Sequence, residues 1–396
     1  MDHIRAWAEV DLNRLAANTR AIRSVVPKNT KILAAVKGDA YGHGAEIAPK
    51  TLLENGVDTL GVAFCEEGVA LRESGITAPI LVMSYTPKSL IAENLKHNLI
   101  QTIFSDESYH AISRVCKAQN KRAQVHIKID TGMNRLGFLS EKSNLSDLKT
   151  IDTILQILHD PCIKITGIYT HLATSENTNT GFMLDQYSQF NYILNKLKEA
   201  KVPVDAWTKH IGNSGALLQM IKADSSLQDA EGSVDLYQNM MRLGIALYGL
   251  PPSKEMSPIC NNLRIKPVMR LMSRISMIKV VPEGVSVSYG QKFWTKRETI
   301  IATLPIGYAD GYPRALTNKG QVLVKGHLTP IIGAICMDQC MIDITDVPNA
   351  RSIKQGEPVE IFGETFTAED IAAKTDTIAY EVICAIGKRI PRIYIT

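Results

Sequence analysis

Eight short apolar runs recur between Lys31 and Gly249, each separated from the next by an amphipathic stretch. They begin at Ile32 (ILAAVK), Leu60 (LGVAFC), Ile80 (ILVMS), Ile100 (IQTIF), Val125 (VHIKID), Ile165 (ITGIYTH), Trp207 (WTKHIG) and Met241 (MRLGIALYG). Continuous apolar character is what a parallel strand needs, because helices cover both faces of such a sheet. The stretches between carry helical spacing. DESYHAISRVCKAQ, from Asp106, opens on acids and brings its apolar residues round every three or four positions. Strand and helix alternating eight times within about 220 residues predict a closed (β/α)8 TIM barrel of the α/β class.

After Pro251 the texture changes. RLMSRISMIKVV, VSVSYG, ETIIATLPIGY, QVLVKG, CMIDIT and PVEIFG are β-type runs cut by Gly, Pro and Asp turns. They predict a mostly β C-terminal domain over 251–396, after a barrel over 12–250. The opening AWAEVDL is itself strand-like, so residues 1–11 are expected to pair with that β domain. A chain of 396 residues is long enough for two cores.

Composition narrows the function by exclusion. Lys and Arg number 44 against 40 for Asp and Glu, too even a balance for a nucleic-acid or anionic-membrane partner. The N-terminus carries early acids and no apolar h-region, so no signal peptide is expected, and no apolar run approaches a membrane span. The seven cysteines include no CxxC pair, which disfavours a disulfide framework or a zinc site and fits a reducing cytoplasm.

Catalytic groups of a barrel gather where the strands end. The polar residues at those ends are Lys37, then Lys128 and Asp130, then His171, then His210 with Asn213 and Ser214 after it, and last Arg242. Two chemistries use such a set. In a metal-dependent hydrolase Lys128, His171 and His210 would share a metal. That reading expects His-x-His on the first strand, where Ala35-Val36-Lys37 stands, and a carboxylate where Arg242 stands. No metal is therefore expected. In the alternative, the Lys37 amine adds to a carbonyl as a Schiff base, a reaction that partial desolvation promotes by lowering the lysine pKa.

Nine motifs, in order, carry a resemblance. They are AVKGDAYGHG at 35–44, HIKIDTGMNRLGF at 126–138, THLATS at 170–175, HIGNSGA at 210–216, MRLGIALYG at 241–249, VSYG at 287–290, GYADGYPR at 307–314, CMDQ at 336–339 and YEV at 380–382. Together they resemble bacterial alanine racemases, pyridoxal-phosphate enzymes of the barrel-fold class, over almost the whole chain. The resemblance implies an isomerase that interconverts L- and D-alanine with pyridoxal 5'-phosphate, works as a cytoplasmic homodimer and supplies D-alanine for peptidoglycan.

The same resemblance assigns roles. Lys37 would hold the cofactor and then act as one base. Tyr41, Ser214, Tyr380 and the backbone N–H groups of Gly244 and Ile245 would hold the phosphate, where barrels place it after strands seven and eight. Asn213 either joins them or only caps the following helix. Arg242 would donate to the pyridine nitrogen and leave it unprotonated, a weaker electron sink that suits simple proton exchange. His210 would support Arg242, and His171 would link toward the opposing base. Arg135 would bind the substrate carboxylate, steered by Lys128, which is carbamylated by resemblance or else a plain lysine paired with Asp130. Tyr289 would be the second base, with neighbouring positive charge lowering its phenol below ~10. In the family it reaches the partner's active site, as does the residue matching Met337, whose N–H would touch the substrate carboxylate. Tyr308, Arg314 and Asp338 resemble residues lining the entrance.

One departure stands there: Ala334 replaces an arginine frequent in the family. His126, His43 and Cys340 receive no partner from sequence. Basic-amino-acid decarboxylases share the plan but place an acid at the pyridine nitrogen and an interface cysteine, which Arg242 and Tyr289 contradict. A single-barrel pyridoxal-phosphate carrier would lack residues 250–396. A racemase of another or broader set of amino acids, such as serine, is the runner-up; the Tyr380 ring should crowd the substrate side chain and favour a methyl group.

Overall fold

Each of the eight apolar runs contributes a strand in the computed structural model of the chain, which describes residues 4–140, 145–222, 227–229 and 232–396. The strands are β1 (Lys31–Ala35), β2 (Thr59–Val62), β3 (Ile80–Val82), β4 (Gln101–Ile103), β5 (Ala123–Asp130), β6 (Ile163–Tyr169), β7 (Thr208–His210) and β8 (Met240–Leu243). Parallel pairing runs β8-β1-β2-β3 and β4-β5-β6-β7. A parallel bridge from Leu81 to Ile100 links β3 to β4, and the Arg242 N–H donates to Gly212 O (3.0 Å) after β7, so the barrel is nearly closed.

Side chains on β5 alternate. Val125, Ile127 and Ile129 are fully buried in the core shared with the helices, including Tyr109, Ile112 and Phe190. His126, Lys128 and Asp130 therefore turn inward. Leu33, Leu81 and Met240, from β1, β3 and β8, form a separate buried apolar cluster. The helix Asp106–Gln119 shows why the outer ring forms. Ser105 caps it by accepting from the Ser108 N–H (3.2 Å), Asp106 and Glu107 complement its dipole, and Tyr109, Ile112, Ser113 and Cys116 make its buried stripe.

The second unit comprises the segment ending at Arg14, Tyr41–Gly44 and Pro267–Thr396; the barrel unit comprises Leu15–Ala40 and Ala45–Lys266. A six-stranded sheet runs His327–Pro330, Gln321–Val324, Pro358–Phe362, Met269–Arg274, Ala6–Asp11, Arg392–Ile395. The N-terminal strand is thus an interior strand, antiparallel to Met269–Arg274 and parallel to the edge strand Arg392–Ile395. A smaller antiparallel sheet joins Met277–Val281, Thr299–Leu304 and Cys340–Asp343.

Two apolar runs differ from their reading. VSVSYG is no strand beyond one bridge at Ser286, because Ser288 (φ 66°) and Gly290 (φ 70°) break the extended backbone. MRLGIALYG is strand only to Leu243, after which successive turns bond Leu247 N to Gly244 O and Tyr248 N to Ile245 O. Alternation and apolar content do not report backbone angles, so periodicity cannot separate a turn from a strand in either segment. Among the described residues no helix is long and apolar enough to cross a membrane.

Tyr41–Gly44 docks on the C-terminal unit through its backbone. Gly42 has φ 81°, its carbonyl accepts from Arg392 Nε (2.9 Å), and an added Cβ would lie 2.3 Å from Ile383 O. A methyl group there meets backbone in a conformation that disfavours side chains. Gly42→Ala is expected to cost at least ~2 kcal/mol in urea unfolding; an unchanged midpoint would show that the loop is not held this way.

Candidate active site

The polar layer is built by consecutive strands. β5 supplies His126 and Lys128, β6 Tyr169, β7 His210 and β8 Arg242, all buried. The Tyr169 ring stacks on His210 with centroids 4.5 Å apart and planes within 5°. Lys128 Nζ lies 4.7 Å above the Tyr169 ring, and the Arg242 guanidinium 5.2 Å from it. Sequence reasoning missed Tyr169, hidden within an apolar run, and gave His126 no partner. The alternation of His126, Lys128 and Asp130 was the available signal for His126.

Arg242 has no carboxylate within ion-pair distance among the described residues. Its Nη1 donates to His210 Nδ1 and His210 O, both at 2.9 Å. Its Nη2 faces Thr170 O (2.6 Å), His171 Nδ1 (3.0 Å) and Ile211 O (3.1 Å). Bonds from a charged donor contribute about 1.5–3 kcal/mol each, which is how a cation survives burial that costs several kcal/mol. Burial still draws the guanidinium down to about 10. The Nε–H makes no hydrogen bond to protein among the described residues. One donor of a fully oriented cation is left for an acceptor from outside the chain.

The histidines of this layer are held neutral. Burial first, then the Arg242 charge, lowers His126 to about 3 and His171 and His210 well below the ordinary range. Lys37 adds to the field at His171. With their Nδ1 atoms turned to guanidinium donors, His171 and His210 are not arranged as ligands of one metal.

Lys128 is 7% exposed. Burial, Arg242 and Arg135 hold its amine well below the usual lysine range, against a smaller opposing effect of Asp130. Asp130 does not ion-pair with it. Its carboxylate accepts from the N–H groups of Gly132, Asn134 and Arg135, each at 3.0 Å. That clamp shapes the loop DTGMNRLG, in which Gly137 (φ 133°) lets the backbone close on Asp130. The Arg135 side chain is exposed, and among the described residues its guanidinium has no carboxylate partner.

Lys37 stands exposed where β1 ends. Gly38, Asp39, Ala40 and Tyr41 follow in the left-handed region, with φ from 54 to 61°. Three non-glycine residues there cost roughly 1–2 kcal/mol each. Hydrogen bonds offset this: Gly38 N to Glu67 (2.6 Å), Ala45 N to Asp39 (2.7 Å) and Ala40 N to Val36 O (2.9 Å). In the C-terminal unit Tyr41 lies 6.2 Å from the Tyr380 ring, and burial raises its phenol.

After β7, Ser214 opens the helix Ser214–Lys222, and its Oγ accepts from the Gly244 N–H (3.1 Å). The Ile245 N–H makes no hydrogen bond to protein among the described residues. A helix N-terminus facing a turn with a spare N–H is a setting for an anion. Asn213 Oδ1 accepts from Ala216 N (2.9 Å) and Ser175 Oγ (2.8 Å), so its oxygen caps the helix.

The C-terminal unit groups its own residues. Tyr289 is 74% exposed. Its neighbour Ser288 donates to Ala334 O (2.6 Å) and lies 3.4 Å from Cys336 Sγ, which sets Tyr289 beside the segment carrying Met337. Tyr308 N donates to Cys336 O (3.1 Å) and Ala309 N to Met337 O (3.0 Å), joining Tyr308 to the same face. Asp338 accepts from Arg389 (2.8 Å), and Arg314 is exposed six residues beyond Tyr308.

A parallel barrel with a polar layer at its strand ends, continued by an antiparallel β unit, defines a two-domain barrel enzyme. Family models for the alanine racemase N-terminal and C-terminal domains match residues 10–252 and 268–394. The chain belongs to the alanine racemase family. It is 43% identical to the alanine racemase of Clostridium novyi (strain NT), over 99% of this chain and 96% of that one. The solved alanine racemase of Clostridium difficile 630 superposes with TM-score 0.88 at 37% identity, covering 99% of this chain and 96% of that one. That of Bartonella henselae, solved with covalently bound pyridoxal phosphate, gives TM-score 0.81 at 30% identity over 99% and 100%.

The neutral histidines set a pH dependence. Unfolded, each imidazole takes a proton near its ordinary value of ~6.5, whereas folded His126 resists until about 3. The unfolded chain binds more protons in that window, so stability is complete above it and falls as pH falls through it. Melting temperature is expected to drop between about pH 8 and about pH 5, less steeply in His126→Asn. An equal slope in the variant would contradict a neutral buried His126.

Proposed function

We propose that this chain interconverts L- and D-alanine by a two-base mechanism with pyridoxal phosphate, as a homodimer with shared sites, and so supplies D-alanine for peptidoglycan. The observation that carries the reading is Arg242, saturated by carbonyls and neutral imidazoles except for one N–H. Such a donor suits a pyridine nitrogen kept as an acceptor. Within the barrel unit Ser214 and the Gly244–Ile245 turn supply hydroxyl and N–H groups suited to the phosphate; Tyr41 and Tyr380 are assigned to it by resemblance to the family. When bound, the cofactor supplies the electron-accepting ring that acidifies the substrate Cα–H.

The remaining work falls to the chain. Lys37 would hold the cofactor, and its amine would move the proton on one face of the substrate. Tyr289 of the partner moves it on the other face; its exposure in the isolated chain supports a role across an interface. Arg135 and the Met337 N–H hold the substrate carboxylate. His171, its Nδ1 committed to Arg242, has its other nitrogen to turn toward the tyrosine. Lys37→Ala and Tyr289→Phe are each expected to abolish racemisation of either enantiomer, and borohydride should fix the cofactor to the Lys37 peptide. After subunit exchange, mixed variants should regain about half the activity per heterodimer, since one site holds both defects and the other neither. No recovery after proven exchange would place both bases in one chain, and faster turnover of serine than alanine would favour the broader racemase.

Lys128 is read as a carbamate. A neutral buried amine beside two arginines is nucleophilic toward carbon dioxide, forming N–COO⁻ with release of a proton, and the anion would anchor Arg135. In 13C-bicarbonate the protein should show a carbamate resonance that Lys128→Ala lacks. That variant should raise KM for alanine by about tenfold, and acetate should partly restore it. A bare amine under saturating bicarbonate would remove this role.

A further inference from the structure

His126 sits at a defect in the barrel. Along β5 and β6, Val125 pairs with Ile165 but His126 pairs with Gly167, so Thr166 is an extra residue. Bulges of this kind re-aim a side chain. At Gly167 an added Cβ would lie 2.6 Å from the His126 ring, so only glycine leaves room for it. Backbone and sequence together turn this imidazole toward β7, where its Nδ1 lies 2.8 Å from His210 Nε2.

Proton positions along the chain are fixed by elimination. A guanidinium only donates, so His210 Nδ1, 2.9 Å from Arg242 Nη1, must present a lone pair. Neutral His210 then carries its proton on Nε2 and donates it to His126 Nδ1. His126 in turn carries its proton on Nε2. Every hydrogen bond in the series points away from Arg242. Burial and the arginine's charge keep both rings uncharged.

We propose that His126 is a positioning residue for the reaction: by accepting the His210 Nε2–H it locks His210 as an acceptor for Arg242 and so aims the free Arg242 Nε–H. The inference rests on the reading that this donor meets an unprotonated pyridine nitrogen. Stacking on Tyr169 fixes the plane of the His210 ring but leaves a half-turn within that plane's axis open. Partners that distinguish the two edges of the ring close it: Arg242 does so at Nδ1, and His126 does so at Nε2 from the opposite end. Loss of the acceptor strands a buried N–H and frees the ring to turn, which withdraws one of the acceptors that orient Arg242.

Two substitutions separate this role from packing. Asn places its side-chain oxygen where His126 Nδ1 stands and can accept from His210; Phe fills the space and cannot. Full-length protein labelled with 15N-histidine, at neutral pH and before cofactor is added, should show both rings as Nε2–H tautomers, with a coupling across the hydrogen bond that His126→Phe abolishes. Titration with pyridoxal phosphate should then be weakened roughly 10-fold in His126→Phe, with a shifted visible band, and about 2-fold or less in His126→Asn. His210 protonated on Nδ1, or His126 carrying two protons, would overturn the proposal. So would equal behaviour of the two variants, whether both are intact or both impaired. If His126→Phe does not fold, the tautomers of the unsubstituted protein and the His126→Asn titration decide the matter. Failure of borohydride to label Lys37 would strike the cofactor reading instead, and leaves the tautomer measurement standing.

Discussion

On the inner wall of the barrel, the Arg242 guanidinium is held without any carboxylate in ion-pair reach among the described residues. Its compensation comes from three backbone carbonyls and two imidazole nitrogens, contributed by the ends of β6 and β7 and the residues just after them. Much of the surrounding chemistry follows from that arrangement. A carboxylate partner would neutralise the site. Neutral acceptors instead leave the charge in place; burial first, and then this charge, keep His126, His171 and His210 unprotonated and press the Lys128 amine toward its neutral form. A base or nucleophile near such a cation is easier to deprotonate, which is the condition a two-base proton exchange requires.

Positioning is achieved by backbone features more than by side-chain packing. Lys37 is followed by a left-handed turn whose cost is met by hydrogen bonds to Glu67, Asp39 and Val36. The Arg135 loop is wound round the Asp130 carboxylate, which takes three N–H groups and is thereby removed as a partner for Lys128. His126 is aimed by a bulge and a glycine. In each case an uncommon local conformation adjoins a candidate side chain, on its own segment or on the strand beside it.

Much of this was legible in the chain. Strand runs that are apolar on both faces demand helices on both sides, so the eight strands and their order could be read directly. Lys37, His171, His210 and Arg242 stood out because a polar residue closing an apolar run needs a reason. Tyr169 and His126 did not, for opposite causes: a tyrosine passes for core, and a single histidine in VHIKID has no visible partner. Their significance lies in contacts across 41 and 84 positions of sequence, to His210 in both cases. The loop carrying Tyr289 reads as a strand in the sequence because alternation in VSVSYG does not report backbone angles, and Ser288 departs from extended geometry.

By itself the sequence determined the barrel, the β domain and the family, and it singled out the candidate residues for the chemistry, since these depend on local periodicity and on motifs whose spacing is covalent. Tertiary structure decided the partners and the burial of the charged and titratable groups. Whether Asp130 pairs with Lys128 or clamps its own loop, whether the histidines are charged, and which nitrogen of His210 bears a proton all depend on distances between strands. Electrostatic energies change steeply over a few ångströms and with burial. The order of residues along the chain does not contain those distances; the closing of the barrel sets them.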